Sequence, residues 1–122
     1  MSKKYKRALI TGHFNVLHAG HLRLFSYAKK IAEKLIVAVE SNKIAGVHSY
    51  IDENIRLEAI KLIDIIDESL IFDYEYKDLI KIVNPDVIVK GKEFEKLRNV
   101  EDSIIKQMNC DLVFSSGESL IN

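Results

Sequence analysis

Three observations predict an α/β fold, a doubly wound sheet of about five parallel strands with helices on both faces. Short apolar runs alternate with amphipathic helical patterns along the chain, as in a parallel sheet covered on both sides. Gly12, Gly46, Gly91 and Gly117 each fall at or just beyond the carboxyl end of a predicted strand, or in the loop after it, and Gly20 opens a helix. The run Gly12-His13-Phe14-Asn15-Val16-Leu17-His18-Ala19-Gly20-His21 stands where the first strand gives way to that helix. In open sheets of this kind ligands bind beyond the carboxyl ends of the strands, where strand order reverses, so the glycine-bearing loops are expected to converge on one site.

Taken in order, the first strand is Arg7-Ala8-Leu9-Ile10-Thr11, and a helix from about 20 to 34 follows, with Leu24, Ala28, Ile31 and Leu35 at helical spacing. The second strand spans 35–40 and leads into the loop Ser41 to Tyr50. Asp52 is a plausible N-cap for a helix at 53–64, with Ile55, Ala59, Leu62 and Ile63 as its buried stripe and Arg56 beside the stripe near the first turn. A third strand at 70–73 precedes a helix at 77–84, which Pro85 stops. The fourth strand, 87–90, runs to Lys90-Gly91. A helix at 100–108 and a strand at 112–115 complete the alternation. No internal repeat, low-complexity tract or linker interrupts it.

With 122 residues and 48% hydrophobic composition the chain suits one domain with a real core. Eighteen basic and eighteen acidic residues are mixed along it, so no basic stripe points to nucleic acid. The basic start runs into a strand rather than a signal-peptide core, and no apolar run has membrane-spanning length, so a cytoplasmic protein without a membrane partner is expected. The single Cys110 reads as a small buried hydrophobe rather than a nucleophile.

The junction at 12–21 suits a phosphate. Unpaired backbone N–H groups and the positive end of the helix dipole are expected to face outward near His18 and His21, two imidazoles one turn apart. Glycine at position 12 lets the backbone approach an anion with no side chain in the way. The plainer alternative is that the two histidines only cap the helix. A zinc site is disfavoured, because beyond His13 no further cysteine or histidine stands at ligand spacing. Lys90, an ammonium at a strand end beside a glycine, is a second phosphate candidate, with Lys92 a solvated neighbour or a helper.

The pattern Gly-x-Phe-Asn-x-x-His-x-Gly-His resembles the signature of the nucleotidyltransferase superfamily, whose members hold a nucleoside triphosphate with the two histidines. Asn84-Pro85-Asp86-Val87-Ile88-Val89-Lys90-Gly91 resembles the proline-aspartate strand ending in lysine-glycine of its cytidylyltransferase-like branch, which includes glycerol-3-phosphate cytidylyltransferase and the heptose-phosphate adenylyltransferases. The resemblance implies a Rossmann-like domain that transfers a nucleoside monophosphate from CTP or ATP to a phosphorylated alcohol or sugar with release of pyrophosphate. It implies His18, His21 and Lys90 as catalytic residues, the histidines on the alpha and beta phosphates and the lysine on the triphosphate. Thr11, Gly12, His13, Phe14, Asn15, Gly20, Lys43, Arg56, Gly91 and Ser119 would bind nucleotide, with Arg56 reaching into the cleft and Lys43 on a phosphate of nucleotide or acceptor. Magnesium is the implied cofactor, with no metal ligand assigned among the side chains, and a homodimer is allowed. Leu120 and Ile121 stand where relatives carry hydroxyl residues before a further helix, so a chain truncated at its C-terminus, or the first domain of a longer protein, is expected. A nucleotide-binding or dimerising module without turnover is the alternative, and a class I aminoacyl-tRNA synthetase fragment would want a basic surface that this neutral chain lacks.

Overall fold

The computed structural model describes residues 3–91 and 108–115. Five strands, β1 (Tyr5–Gly12), β2 (Ala32–Glu40), β3 (Glu68–Phe72), β4 (Val87–Gly91) and β5 (Asp111–Ser115), pair in parallel in the order β3-β2-β1-β4-β5. The helices are α1 (Ala19–Ile31), α2 (Asn42–Ala45), α3 (Glu53–Lys61) and α4 (Tyr76–Val83), with a short 3-10 turn at Gly46–His48. The chain winds from β1 out to β3, then crosses back to place β4 on the other side of β1. The predicted Rossmann-like α/β class is the one observed. Ser119, Lys92 and the predicted helix at 100–108, apart from Met108 in a turn, lie outside the described residues.

Strand periodicity divides the core. Ala8, Ile10, Leu35, Val37, Val39, Val87 and Val89 pack with Phe25 and Ala28 of α1 and Ile60 of α3 on one face. Leu9, Ile36, Ala38 and Ile88 turn to the other face and meet Leu79, Ile80 and Val83 of α4. Each of the buried valine, leucine, isoleucine and phenylalanine side chains among these contributes on the order of 1.5–3 kcal/mol by leaving water. Among the described residues no helix is long and apolar enough to cross a membrane.

Two expectations are corrected. The helix expected to reach residue 34 stops at Ile31, because Ala32 is already extended and pairs with Tyr5, and Lys34 pairs with Arg7. Sheet pairing over nine residues outweighs the weak helix preference of Glu33 and Lys34. The buried stripe of α3 is also different: Ile55 and Leu62 are 60% and 77% exposed, while Arg56 and Ile60 face inward. The helix ends at Lys61, where Leu62 and Ile63 donate to carbonyls three residues back and tighten the last turn.

The Asn84-Pro85-Asp86 run joins α4 to the sheet. Asn84 takes the left-handed conformation at φ 53° that stops α4. The Asp86 carboxylate then accepts the backbone N–H groups of Lys6 and Arg7 at 2.9 and 2.6 Å, clamping the entrance of β4 to β1.

Candidate active site

Strand order reverses between β1 and β4, and a cleft of about 350 Å³ opens beyond their carboxyl ends. Thr11, Gly12, His13 and Phe14 leave β1 along one wall, Val89, Lys90 and Gly91 end β4 on the other, and His21 and Glu40 close the sides. Of the glycines at strand ends, Gly12 and Gly91 line this cleft, Gly46 lines neither this cavity nor the one beside it, and Gly117 lies outside the described residues. Seven of the predicted residues (Thr11, Gly12, His13, Phe14, His21, Lys90 and Gly91) line one cavity. His18 is outside this lining but its ring centroid is 4.1 Å from that of His21.

The start of α1 is built from these two imidazoles. His18 is the N-cap, and its Nδ1 accepts the backbone N–H of Gly20 at 3.0 Å, the ring also serving the N–H of His21. The Nδ1 of His21 reaches back to the N–H of His18 at 3.2 Å. This is a capping box with imidazoles in place of hydroxyl and carboxylate. The expectation of unpaired backbone N–H groups here is corrected, since the N–H groups of His18, Gly20 and His21 are already taken. Capping and ligand binding do not compete for the same atom. A neutral ring that accepts at Nδ1 carries its proton on Nε2, so both rings are set as Nε2–H donors.

Gly20 is required by this cap, because a Cβ there would stand 2.7 Å from Cε1 of His18. Gly12 has a different reason from the one expected: the ring of Phe14 fills the space, and a Cβ would meet its Cζ at 2.9 Å. Phe14 is buried and holds a left-handed backbone at φ 53°, strain of order 1–3 kcal/mol for a residue that is not glycine. Its ring packs on Phe25 at 5.8 Å and meets His21 edge-on at 5.6 Å. The Phe14 side chain therefore helps to seat His21 on the core.

Arg56 does not reach into an open cleft. It is 1% exposed, and its Nε donates to Ile51 O at 2.7 Å. One terminal nitrogen donates to His13 O and Glu40 O at 2.7 and 2.6 Å, and the other to Asn42 Oδ1 and, at 3.5 Å, to Ser49 Oγ. Asn15 is likewise occupied with the same loop. Its amide donates to His48 O, and its Oδ1 accepts from Tyr50 and Ile51 at 3.1 and 3.2 Å. Asp52 caps α3, and hydrogen bonds, chiefly from the Asn42 side chain, hold its carboxyl below the usual carboxylate range.

Lys43 lies in a second cavity, of about 430 Å³, beyond the ends of β2 and β3. Ile44, Phe72, Tyr74 and Tyr76 make it partly apolar, and Asp73 and Glu75 stand at its edge. Glu40 belongs to both cavities. Sequence reasoning missed Glu40 and His48. Glu40 could have been found as the last residue of the strand beside β1. His48 is exposed but stacks on His13 with ring centroids 5.6 Å apart and planes at 15°.

The model of the family described as cytidylyltransferase-like matches residues 9–121. The bifunctional protein HldE of a Nitratiruptor species is 31% identical over 126 residues, covering 98% of this chain and 27% of the relative. The chain thus spans about a quarter of the length of that protein and of its HldE counterpart in Wolinella succinogenes. An FAD synthase of Methanosarcina barkeri is 30% identical over 105 residues, 83% of this chain and 76% of that enzyme. Among solved structures, the lipopolysaccharide core biosynthesis protein from Thermoplasma volcanium superposes with a TM-score of 0.80 at 25% identity, covering 94% of this chain and 99% of the other. Pantothenate synthetase from Thermus thermophilus shares the fold, with a TM-score of 0.63 at 14% identity over 90% of this chain and 55% of its own.

Proposed function

The chain belongs to the cytidylyltransferase-like family, and from that premise we propose that it is a nucleotidyltransferase. In this reading it transfers a nucleoside monophosphate from ATP or CTP to a phosphorylated alcohol or sugar and releases pyrophosphate. The observation that carries the reading is the pair of imidazoles whose Nδ1 atoms are consumed by the helix cap, which commits Nε2–H donors beside a cleft that Lys90 also lines. The FAD synthase relative, whose product contains an adenine nucleotide, supports ATP as the first nucleotide to try.

In the transfer, an oxygen of the acceptor phosphate attacks the alpha phosphorus in line and the bond to pyrophosphate breaks. Charge grows on the alpha-phosphate oxygens and on the leaving group. His18 and His21 donate to those oxygens, and Lys90 offsets the charge of the triphosphate. Gly91, beside Lys90 at the end of β4, lets the backbone come close to it. Among the described residues no group of three or more carboxylates, histidines or cysteines could cage a metal. Glu40, the one carboxylate lining the cleft among the described residues, would be the side chain at hand to help hold a magnesium ion brought by the triphosphate. When bound the ion would share the charge of the phosphates. The acceptor enters from the second cavity, where Lys43 suits its phosphate, and Glu40 stands between the two substrates.

The test is a thermal-shift scan of ATP, CTP, GTP and UTP with matched magnesium and ionic strength, followed by pyrophosphate release across phosphorylated alcohols and sugars. A nucleotide at a hundredfold excess over its dissociation constant stabilises the folded state by about 2.7 kcal/mol. A selective rise with release supports the transferase. Binding with no release across the panel supports a nucleotide-binding module instead, and no binding by calorimetry defeats both.

A further inference from the structure

We propose that Arg56 is a positioning residue of this site: it fixes the wall of the cleft from beneath and touches neither substrate. The two carbonyls on one of its terminal nitrogens belong to His13, the first residue after β1, and Glu40, the last of β2, and both residues line the cleft. Its remaining donors hold Asn42, Ser49 and Ile51, so one side chain joins two strand ends and the whole loop between β2 and α3. That loop lies against the first one through the three hydrogen bonds of Asn15 and the stacking of His48 on His13.

The chemistry of the tie is particular to arginine. Five N–H donors in one rigid plane meet five acceptors, all of them neutral, and a buried guanidinium left short of acceptors would carry a large desolvation cost. Lysine has three donors on a flexible stem and cannot satisfy that set. The cap of α1 makes no use of Arg56, since its bonds run only between His18, Gly20 and His21. Removing the tie should therefore loosen His13, Glu40 and residues 41–51 while the histidine pair stays in place. A displacement of about 1 Å in a positioning element costs up to about a hundredfold.

The inference takes its readout from the nucleotidyltransferase reading, and the experiment separates the two. Arg56→Lys and Arg56→Ala in the full chain are compared with wild type by ATP and CTP calorimetry, by KM and kcat for pyrophosphate release, and by amide hydrogen exchange. We expect nucleotide affinity to fall about tenfold, which corresponds to about 1.4 kcal/mol. KM should rise more than kcat falls, and exchange should accelerate in 41–51 but not in the buried parts of β1 and β2. Guanidinium chloride, well below unfolding concentrations, should restore affinity to Arg56→Ala, and methylammonium should not. Wild-type affinity and exchange in Arg56→Lys would overturn the proposal. So would failure of both variants to fold, which would assign Arg56 to the fold as a whole. If wild type binds no nucleotide, the function is wrong, and exchange confined to 41–51 still decides whether Arg56 holds the wall.

Discussion

Replacing His18 separates its two roles, because Nδ1 is taken by the helix and only Nε2 is left to donate to a ligand. His18 occupies the N-cap with φ −133° and ψ 177°, and its Nδ1 accepts the Gly20 N–H at 3.0 Å. His18→Ala removes that acceptor, a loss of about 1 kcal/mol for an N-cap. For a chain of 122 residues, between the size classes for which such shifts are tabulated, this lowers Tm by roughly 3–6 °C. His18→Asn restores a good N-cap acceptor but has no counterpart of the outward Nε2–H. Stability should then return to within about 0.5 kcal/mol of wild type. Loss of a transition-state donor costs about a hundredfold to a thousandfold in turnover, and this loss should be equal in the two variants. Calorimetric melting and pyrophosphate release with the preferred nucleotide read the two effects independently. If His18→Asn recovers both Tm and turnover, His18 is a cap and nothing more, and the assignment of its Nε2 to a phosphate is refuted.

Gly20→Ala should leave stability within about 1 kcal/mol of wild type, since the helix propensity gained offsets the cap lost. Because the new Cβ would stand 2.7 Å from Cε1 of His18, the ring must swing away and turnover should collapse; unchanged turnover at unchanged Tm would show that the ring position is immaterial. Tyr5, whose hydroxyl donates to Asp111 at 2.7 Å, has its pKa raised to about 12, first by burial and then by that bond. Its contribution to stability is full below the ordinary phenol value of about 10 and is lost as pH climbs from there toward 12. Absorbance titration of the native protein should show one late-ionising tyrosine that Tyr5→Phe abolishes; a wild-type titration complete near pH 10 would contradict it. Asp67 is pushed up by burial, but Lys29 at 2.6 Å and the Leu35 N–H outweigh this and hold its carboxyl below the usual range. Its contribution is therefore present above the ordinary carboxylate pKa and lost as pH falls through the folded value, so Asp67→Asn should flatten the acid limb of the Tm–pH profile.

What could be read from the sequence was what is local. Apolar runs such as Leu35 to Val39 mark strands because both their faces are buried, and Asn84-Pro85 marks a helix stop because one residue takes the left-handed turn and the next cannot continue the helix. The location of the cleft was signalled by Gly12 and Gly91 at their strand ends together with the general rule about switch points, whereas Gly46 lies in neither cavity. What could not be read was decided by partners distant in the chain. The end of α1 depends on the pairing of Ala32 with Tyr5, 27 residues earlier. Arg56 reads in the sequence as a residue beside the buried stripe of α3, and by resemblance as one that reaches into the cleft. Its burial depends on carbonyls from residues 13, 40 and 51 converging on one point, and no spacing rule encodes that. His48 gained its place in the same way, through two loops brought together in space.

The cap also changes which groups can meet an anion. A helix start with open backbone N–H groups would bind phosphate through the main chain, as glycine-rich loops do. Here three of those N–H groups are already satisfied by the imidazoles of His18 and His21, so the donors offered at this end of α1 are side-chain Nε2–H groups. Imidazoles seated on a capping box, one of them braced by Phe14, are displaced outward from the helix and can be aimed at oxygens that acquire charge only as pyrophosphate leaves. Interactions that strengthen in the transition state raise turnover rather than affinity alone. On this argument, loss of either imidazole should depress kcat more than it weakens nucleotide binding, the opposite partition from that expected at Arg56.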